Sequence, residues 1–125
     1  MVRTIGFEIL GLGDVKKFME NVSKEVVARA DEAITKATFF MEGEVKESIA
    51  GHRAEPTSVD TGRFLNSVKG TKTAVMKGKV ETNVVYAEFL EYGTSKLSPR
   101  AHFRNSISRN KDNIRKFVEV EIKRI

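Results

Sequence analysis

From Val15 onward, apolar side chains return at every third or fourth position: Val15, Met19, Val22, Val26, Ala30, Ile34, Ala37, Met41, Val45 and Ile49. That spacing draws one apolar stripe along an α-helix, because side chains three and four residues apart stack on the same face. Lys16, Glu20, Lys24, Asp31, Lys46 and Glu47 fall on the other side. Asp14 is placed to cap the first turn, and neither proline nor glycine interrupts the pattern before Gly43. The spacing therefore predicts a helix from about 14 to 50, roughly 50 Å long at the α-helical rise. A chain of 125 residues does not need a rod of that length for its own core. Part of the stripe is expected to cover a neighbouring subunit, with a bend near Gly43 as the alternative.

The remaining segments read as smaller pieces. Ile5, Phe7 and Ile9 alternate with polar neighbours, which predicts a short strand over 4–10 ended by Gly11-Leu12-Gly13. Residues 51–58 form a polar loop expected to be mobile, and Asp60 is expected to cap a helical turn containing Arg63, Phe64 and Leu65. Val- and Thr-rich runs at 67–75 and 79–86 predict a β-hairpin turning at Met76-Lys77-Gly78, with Gly78 taking a positive φ. Val80, Thr82, Val84 and Tyr86 would then share one face. Ala87–Tyr92 is a short apolar segment closed by Gly93. Ser98-Pro99 resembles a helix start, and Phe103, Ile107, Ile114, Phe117 or Val118, and Ile122 mark one face of a final helix over about 100–122. The fold class expected is α+β: a long N-terminal helix and a C-terminal helix packed on a small antiparallel β-sheet, as a single domain over residues 1–125.

Composition removes several classes of chemistry. There is no cysteine, so disulfides, thiolate catalysis and cysteine-held metals are excluded. No window approaches the roughly 20 apolar residues of a membrane-spanning helix, and Met1–Glu8 lacks the layout of a signal peptide, so no membrane partner is expected. The net charge of +5 admits nucleic acid as a partner, and Lys69, Lys72, Lys77 and Lys79 make the hairpin the most basic stretch. Acids and bases nevertheless alternate along most of the chain, as on any solvated surface.

Motifs for catalysis are sparse. Asp60-Thr61-Gly62 matches the catalytic turn of aspartic proteases, in which two such aspartates share a proton. Here a polar loop, not an apolar strand, precedes the triplet, and Arg63 would set a cation beside the dyad, so a turn capped by Asp60 and relaxed by Gly62 is the expected role. His52 and His102 stand far apart without metal-ligand spacing. No nucleophile elbow or phosphate-binding glycine loop is present. Glu88 and Glu91, three residues apart, are expected to be interface or solvated residues. The expectation is a protein without catalytic residues, metal or cofactor.

Three segments together resemble a known family. Val59-Asp60-Thr61-Gly62-Arg63-Phe64-Leu65-Asn66-Ser67-Val68 is similar to an Asp-Thr-Gly-Arg-Leu-x-x-Ser segment, and Asn83–Lys96 to a Tyr-Ala pair followed by Glu-aromatic-Gly-Thr. Pro99-Arg100-Ala101-His102-Phe103-Arg104 resembles a basic Pro-Phe run opening the last helix, departing from it at His102, Asn105 and Ser106. The family is the tailed-phage tail-component family named for the gene-ten product of phage HK-ninety-seven. The resemblance implies a non-catalytic virion protein, a tail-completion or neck component. It would assemble into a homo-oligomeric ring, often of six copies, between head connector and tail-tube proteins, with weak contact to the passing DNA. Gly62 and Gly93 would permit tight turns, and Tyr86, Phe89 and Phe103 would supply aromatic packing. Glu91 with Arg63 or Arg100 would form polar contacts between subunits. A small basic nucleic-acid-binding module is the alternative reading.

Overall fold

The computed structural model describes residues 4–10, 23–59 and 62–123. In chain order these form strand β1 (Ile5–Leu10), helix α1 (Lys24–Ile49), the short helix α2 (Arg63–Ser67), strands β2 (Lys69–Ala74) and β3 (Lys77–Thr82), and helices α3 (Ala87–Tyr92), α4 (His102–Arg109) and α5 (Lys111–Ile122). The sheet is antiparallel, in order β1-β3-β2, with Val80 of the central strand opposite Phe7 on one side and Gly70 on the other. The α+β class expected from the sequence is the one the chain adopts.

Helix α1 starts later than its stripe suggested. Ser23 is extended (ψ 155°), and its Oγ accepts the N–H of Val26 at 3.2 Å, an N-cap that ends any continuous helix reaching back toward Asp14. Asp14 itself, with the rest of 11–22, lies outside the described residues. The helix spans 26 residues, about 39 Å, and passes Gly43 without a break. Ala30, Ile34, Ala37, Met41, Val45 and Ile49 are all buried within the chain against the sheet, Phe64, Val68 and Phe103. Over those turns, then, the stripe is covered internally and not by a neighbour. Of these, Ile34, Met41, Val45 and Ile49 each contribute roughly 1.5–3 kcal/mol by leaving water.

The hairpin turns differently from the expected geometry, for a reason that lies on α1. Its turn residues are Val75 and Met76, and Met76 rather than Gly78 takes the positive φ (58°). Asp31 of α1 accepts the Met76 N–H at 2.7 Å and also bonds Lys72, so the left-handed residue is held by a long-range clamp. Gly78 sits within β3, where a Cβ would overlap Thr38 Oγ1 and lie 3.1 Å from Thr38 Cγ2. The glycine is there because helix and strand touch. β3 ends at Thr82, so Val84 remains buried while Tyr86 leaves the face it was expected to share.

The predicted final helix is two helices. Asn110 (φ −108°, ψ 13°) separates α4 from α5; it is buried, and its Nδ2 donates to Ser106 O at 2.9 Å. Ser98-Pro99 is not the helix start, since α4 begins at His102 after Ala101, whose φ is +49°. Pro99 packs on Gly93, where any Cβ would approach the proline ring within 2.8 Å.

Gly78→Ala is expected to destabilise the fold by about 1–3 kcal/mol, the usual cost of overpacking. Thr38→Ala in the same chain should recover part of that loss. A double-mutant cycle in denaturant checks it: additive effects would mean that the two residues do not touch.

Candidate functional site

The segments singled out by sequence meet at the C-terminal end of α1. The loop following α1, the start of α2, the turn before α3, α3 itself and the irregular run into α4 enclose a cleft of about 490 Å3 lined by Thr57, Ser58, Val59, Arg63, Tyr86, Leu90 and Arg100. Gly62, with φ +81°, precedes α2 and lets the chain turn into it. Asp60 and Thr61 fall outside the described residues. The N-cap position of α2 is Gly62, which offers no side chain to cap it. Tyr86 stacks edge-on against Phe64 at 6.0 Å, and Phe64 against His102 at 6.0 Å.

Behind the cleft runs a buried polar chain. Glu55 Oε1 accepts from Ser48 Oγ at 2.5 Å, and Ser48 Oγ lies 2.7 Å from His102 Nδ1. His102 Nε2 lies 2.7 Å from Ser58 Oγ, which accepts from Arg100 at 2.9 Å. The ionised Glu55 can only accept, so Ser48 donates its proton there and takes one from His102 Nδ1–H. Nε2 is then the bare nitrogen and accepts from Ser58. The imidazole is neutral in this arrangement. Burial holds its pKa below the ordinary 6.5, and Arg100 acts in the same direction against the opposing pull of Glu91 and Glu55. Burial alone would raise the Glu55 carboxyl. Hydrogen bonds from Arg109, Ser48 and Asn105, with the Arg109 charge, more than offset that and hold it at about 2.

This network corrects two expectations. The 51–58 loop is tied down, because Glu55 is buried and gripped by Arg109 through two bonds of 3.0 Å. Glu91 is neither solvated nor directed at Arg63 or Arg100. It is buried and accepts the Phe103 and Arg104 N–H groups and Arg104 Nε, each at 3.0 Å. A carboxylate twelve positions upstream thus satisfies the first turn of α4 and places its charge at the favourable end of the helix dipole. Phe103 is buried in the core, edge-on to Phe7 at 6.1 Å. Gly93 closes α3 with φ +79°. Sequence reasoning passed over Ser48, Glu55, Ser58 and Arg109, since nothing local ties residues so far apart.

Outside the cleft, exposed apolar side chains form a ridge on α3 and just before it: Val85 is 61% exposed, Phe89 51% and Tyr92 50%. Arg104 lies 4.5 Å over the Tyr92 ring and fixes its orientation. The basic hairpin is largely engaged within the chain, with Lys72 on Asp31, Lys77 on Glu8 (3.9 Å) and Lys79 on Glu81 (2.8 Å).

A family model described as "Bacteriophage HK97-gp10, putative tail-component" matches residues 13–93, more than half of the chain. The chain belongs to this family. The HK97-gp10 match takes in the long helix, the hairpin, the first resembling segment and the second as far as Gly93; Pro99–Arg104, α4 and α5 lie beyond it. Membership makes the chain a phage tail component, with the virion as its place. No curated protein and no solved structure matches it. No helix among the described residues is long and apolar enough to cross a membrane.

Two measurements test the site. Glu91→Ala should cost about 3 kcal/mol or more, because it orphans the N–H groups of a buried helix start and the Arg104 charge; Glu91→Gln should cost less, and denaturant titration compares them. Stability should also fall with acid in two stages. His102, with a folded pKa below 6.5, loses stability as pH drops below 6.5 and the unfolded chain gains protons. Glu55 adds a second loss between about pH 4.5 and 2, on the order of 3 kcal/mol. Glu55→Gln should flatten the second stage in a series of thermal melts.

Proposed function

We propose that this tail component is a ring-forming structural protein of the tail-completion or neck layer that carries out no reaction. Its partners are copies of itself and the head connector and tail-tube proteins. One observation carries the reading: Val85, Phe89 and Tyr92 stand exposed to water on and just before α3, although the chain has a well-filled core of its own. Contiguous exposed apolar surface of this kind marks protein contacts, and aromatic side chains dominate the binding energy of such contacts. Family membership supplies the setting, a phage tail.

The chemistry around the cleft favours scaffolding over turnover. Ser58, His102, Ser48 and Glu55 are joined in sequence, but His102 is fully buried, and Arg100 donates to both Ser58 and the Thr57 carbonyl, locking the loop shut. Nucleic-acid binding as the main role is disfavoured by the hairpin, whose lysines are mostly paired with acids of the same chain.

Sedimentation or light scattering of the concentrated chain, alone and with connector or tail-tube protein, should reveal a closed oligomer of uniform mass. Phe89→Arg should abolish it while leaving the thermal transition within a few degrees of the parent, because the side chain is half exposed. A chain that remains monomeric under all of these conditions would count decisively against a ring.

A further inference from the structure

One nitrogen of Arg100 closes the end of the 51–58 loop. Its Nη1 donates to the Thr57 carbonyl at 2.5 Å and to Ser58 Oγ at 2.9 Å. Ser58 Oγ in turn lies 2.7 Å from His102 Nε2. A single hydroxyl therefore stands between a guanidinium that donates to it and an imidazole nitrogen that accepts from it. We infer that proton uptake at His102 Nε2 releases Arg100 from Thr57 and Ser58, so that the loop end comes off the cleft wall in mild acid. This switch concerns the cleft alone and does not depend on ring formation.

The direction of the protons leaves one place for a new one. Glu55, whose carboxyl is held at about 2, only accepts, so Ser48 donates to it and His102 Nδ1–H is already committed to Ser48. The incoming proton must enter at Nε2, on the side of Ser58 and the cleft. Once there it donates to Ser58 Oγ, and the proton that Ser58 had shared with Nε2 loses its acceptor. The same hydroxyl then stands between two cations, each with a nitrogen within 2.9 Å of it. His102 is fully buried and cannot leave, whereas Arg100 is only half-buried and has water within reach. Moving Arg100 out relieves the repulsion, and its hold on Thr57 goes with it.

Among the described residues, the other charges acting on the ring are Glu91 of α3, held by Arg104, and Glu55 of the loop, held by Arg109 of α4. Both acids favour the imidazolium, yet each is committed to its arginine and neither bonds the ring. Helix α1 presents the uncharged Ser48 and α2 the Phe64 ring at 6.0 Å, with Arg63 a second cation on the cleft wall. With Arg100 seated, burial and the guanidinium keep the ring below its ordinary pKa of 6.5; with Arg100 gone, that restraint weakens. The open form therefore takes the proton more readily, and opening gains up to about tenfold per pH unit as pH falls below 6.5.

With only two histidines, the ring is readily followed by NMR of the intact chain from about pH 7.5 to 5. His102 should titrate below 6.5, and the Arg100 side-chain signal should move with the same midpoint. The Ser58 amide, which donates to Ile49 O at 2.8 Å, should lose hydrogen-exchange protection by about tenfold per pH unit, while the Val45 amide within α1 keeps its own. Arg100→Gln should raise the His102 midpoint and leave Ser58 weakly protected at every pH, with little acid step. His102→Gln, which still bonds Ser48 and Ser58 but takes no proton, should keep the loop closed throughout; if that variant does not fold, Arg100→Gln decides. Ser58 protection or an Arg100 signal that stays flat while His102 protonates would overturn the switch. So would an unchanged midpoint in Arg100→Gln, or loss of Val45 protection at the same pH, which is the mark of global unfolding.

Discussion

The closeness with which α1 lies on the central strand governs the rest of the structure. Ala33 and Ala37 are fully buried, and Gly70 and Gly78 leave the sheet bare where Thr38 presses on it. Thr38 is polar in an apolar contact, and it is tolerated because its hydroxyl donates to Ile34 O at 2.8 Å. With the backbones this near, Asp31 reaches the hairpin tip and holds Met76 in a left-handed conformation that would otherwise be strained. The same approach sets where the far end of α1 arrives. Ser48 is delivered to His102 and Ile49 to the loop, since Ile49 O accepts the Ser58 N–H at 2.8 Å. Sheet contact at one end of the helix thus fixes the geometry of the cleft at the other.

A buried polar chain usually costs stability unless each member is satisfied. Here the carboxylate sets the direction of every proton from Ser58 to Glu55, and two arginines, Arg100 and Arg109, close its ends. What the arrangement secures is position. Four segments distant in sequence — α1, the 51–58 loop, the run before α4 and α4 itself — are joined by these bonds. A loop that composition alone describes as mobile becomes part of the framework, and the ridge-bearing α3 inherits that rigidity through Glu91 and Arg104.

Legibility in the sequence followed the range of the interactions. The stripe from Ala30 to Ile49, the alternation in β1 and the two hairpin strands are set by neighbours three, four or two residues away, and each was readable. Failures came where a side-chain cap or a distant contact, and not the apolar period, decides. Ser23 displaced the helix start predicted at Asp14, although Ser-x-x-Val offered no stronger local signal. Gly78 looked like a turn glycine because its contact with Thr38 is invisible from the hairpin. Glu91 looked like a surface acid because the helix it caps begins eleven residues later. The break at Asn110 hides within an apolar period that continues through it from Ile107 to Ile114. Arg63, Tyr86 and Arg100 stood out by motif as interface residues and are found lining the cleft, whereas the His102 relay behind it carried no motif.

The stiffness of α3 bears on how a tail component of this kind would assemble. Phe89 and Tyr92 stand on a helix of only 6 residues, too short to hold itself in water. Its order comes from below: Ala87 is buried, Glu91 is bonded to the start of α4, and Gly93 turns the chain tightly under Pro99. An aromatic surface ordered before it meets a partner loses little conformational entropy on binding, which favours association through preorganisation and not through added area. The same order carries a hazard, because a preformed apolar ridge is equally ready for unwanted contacts. Arg104 over one face of Tyr92 reduces that hazard by keeping part of the ridge wet. A surface so prepared needs no folding step to become adhesive, so under the ring reading the timing of assembly is governed by local concentration and by the template that gathers the copies.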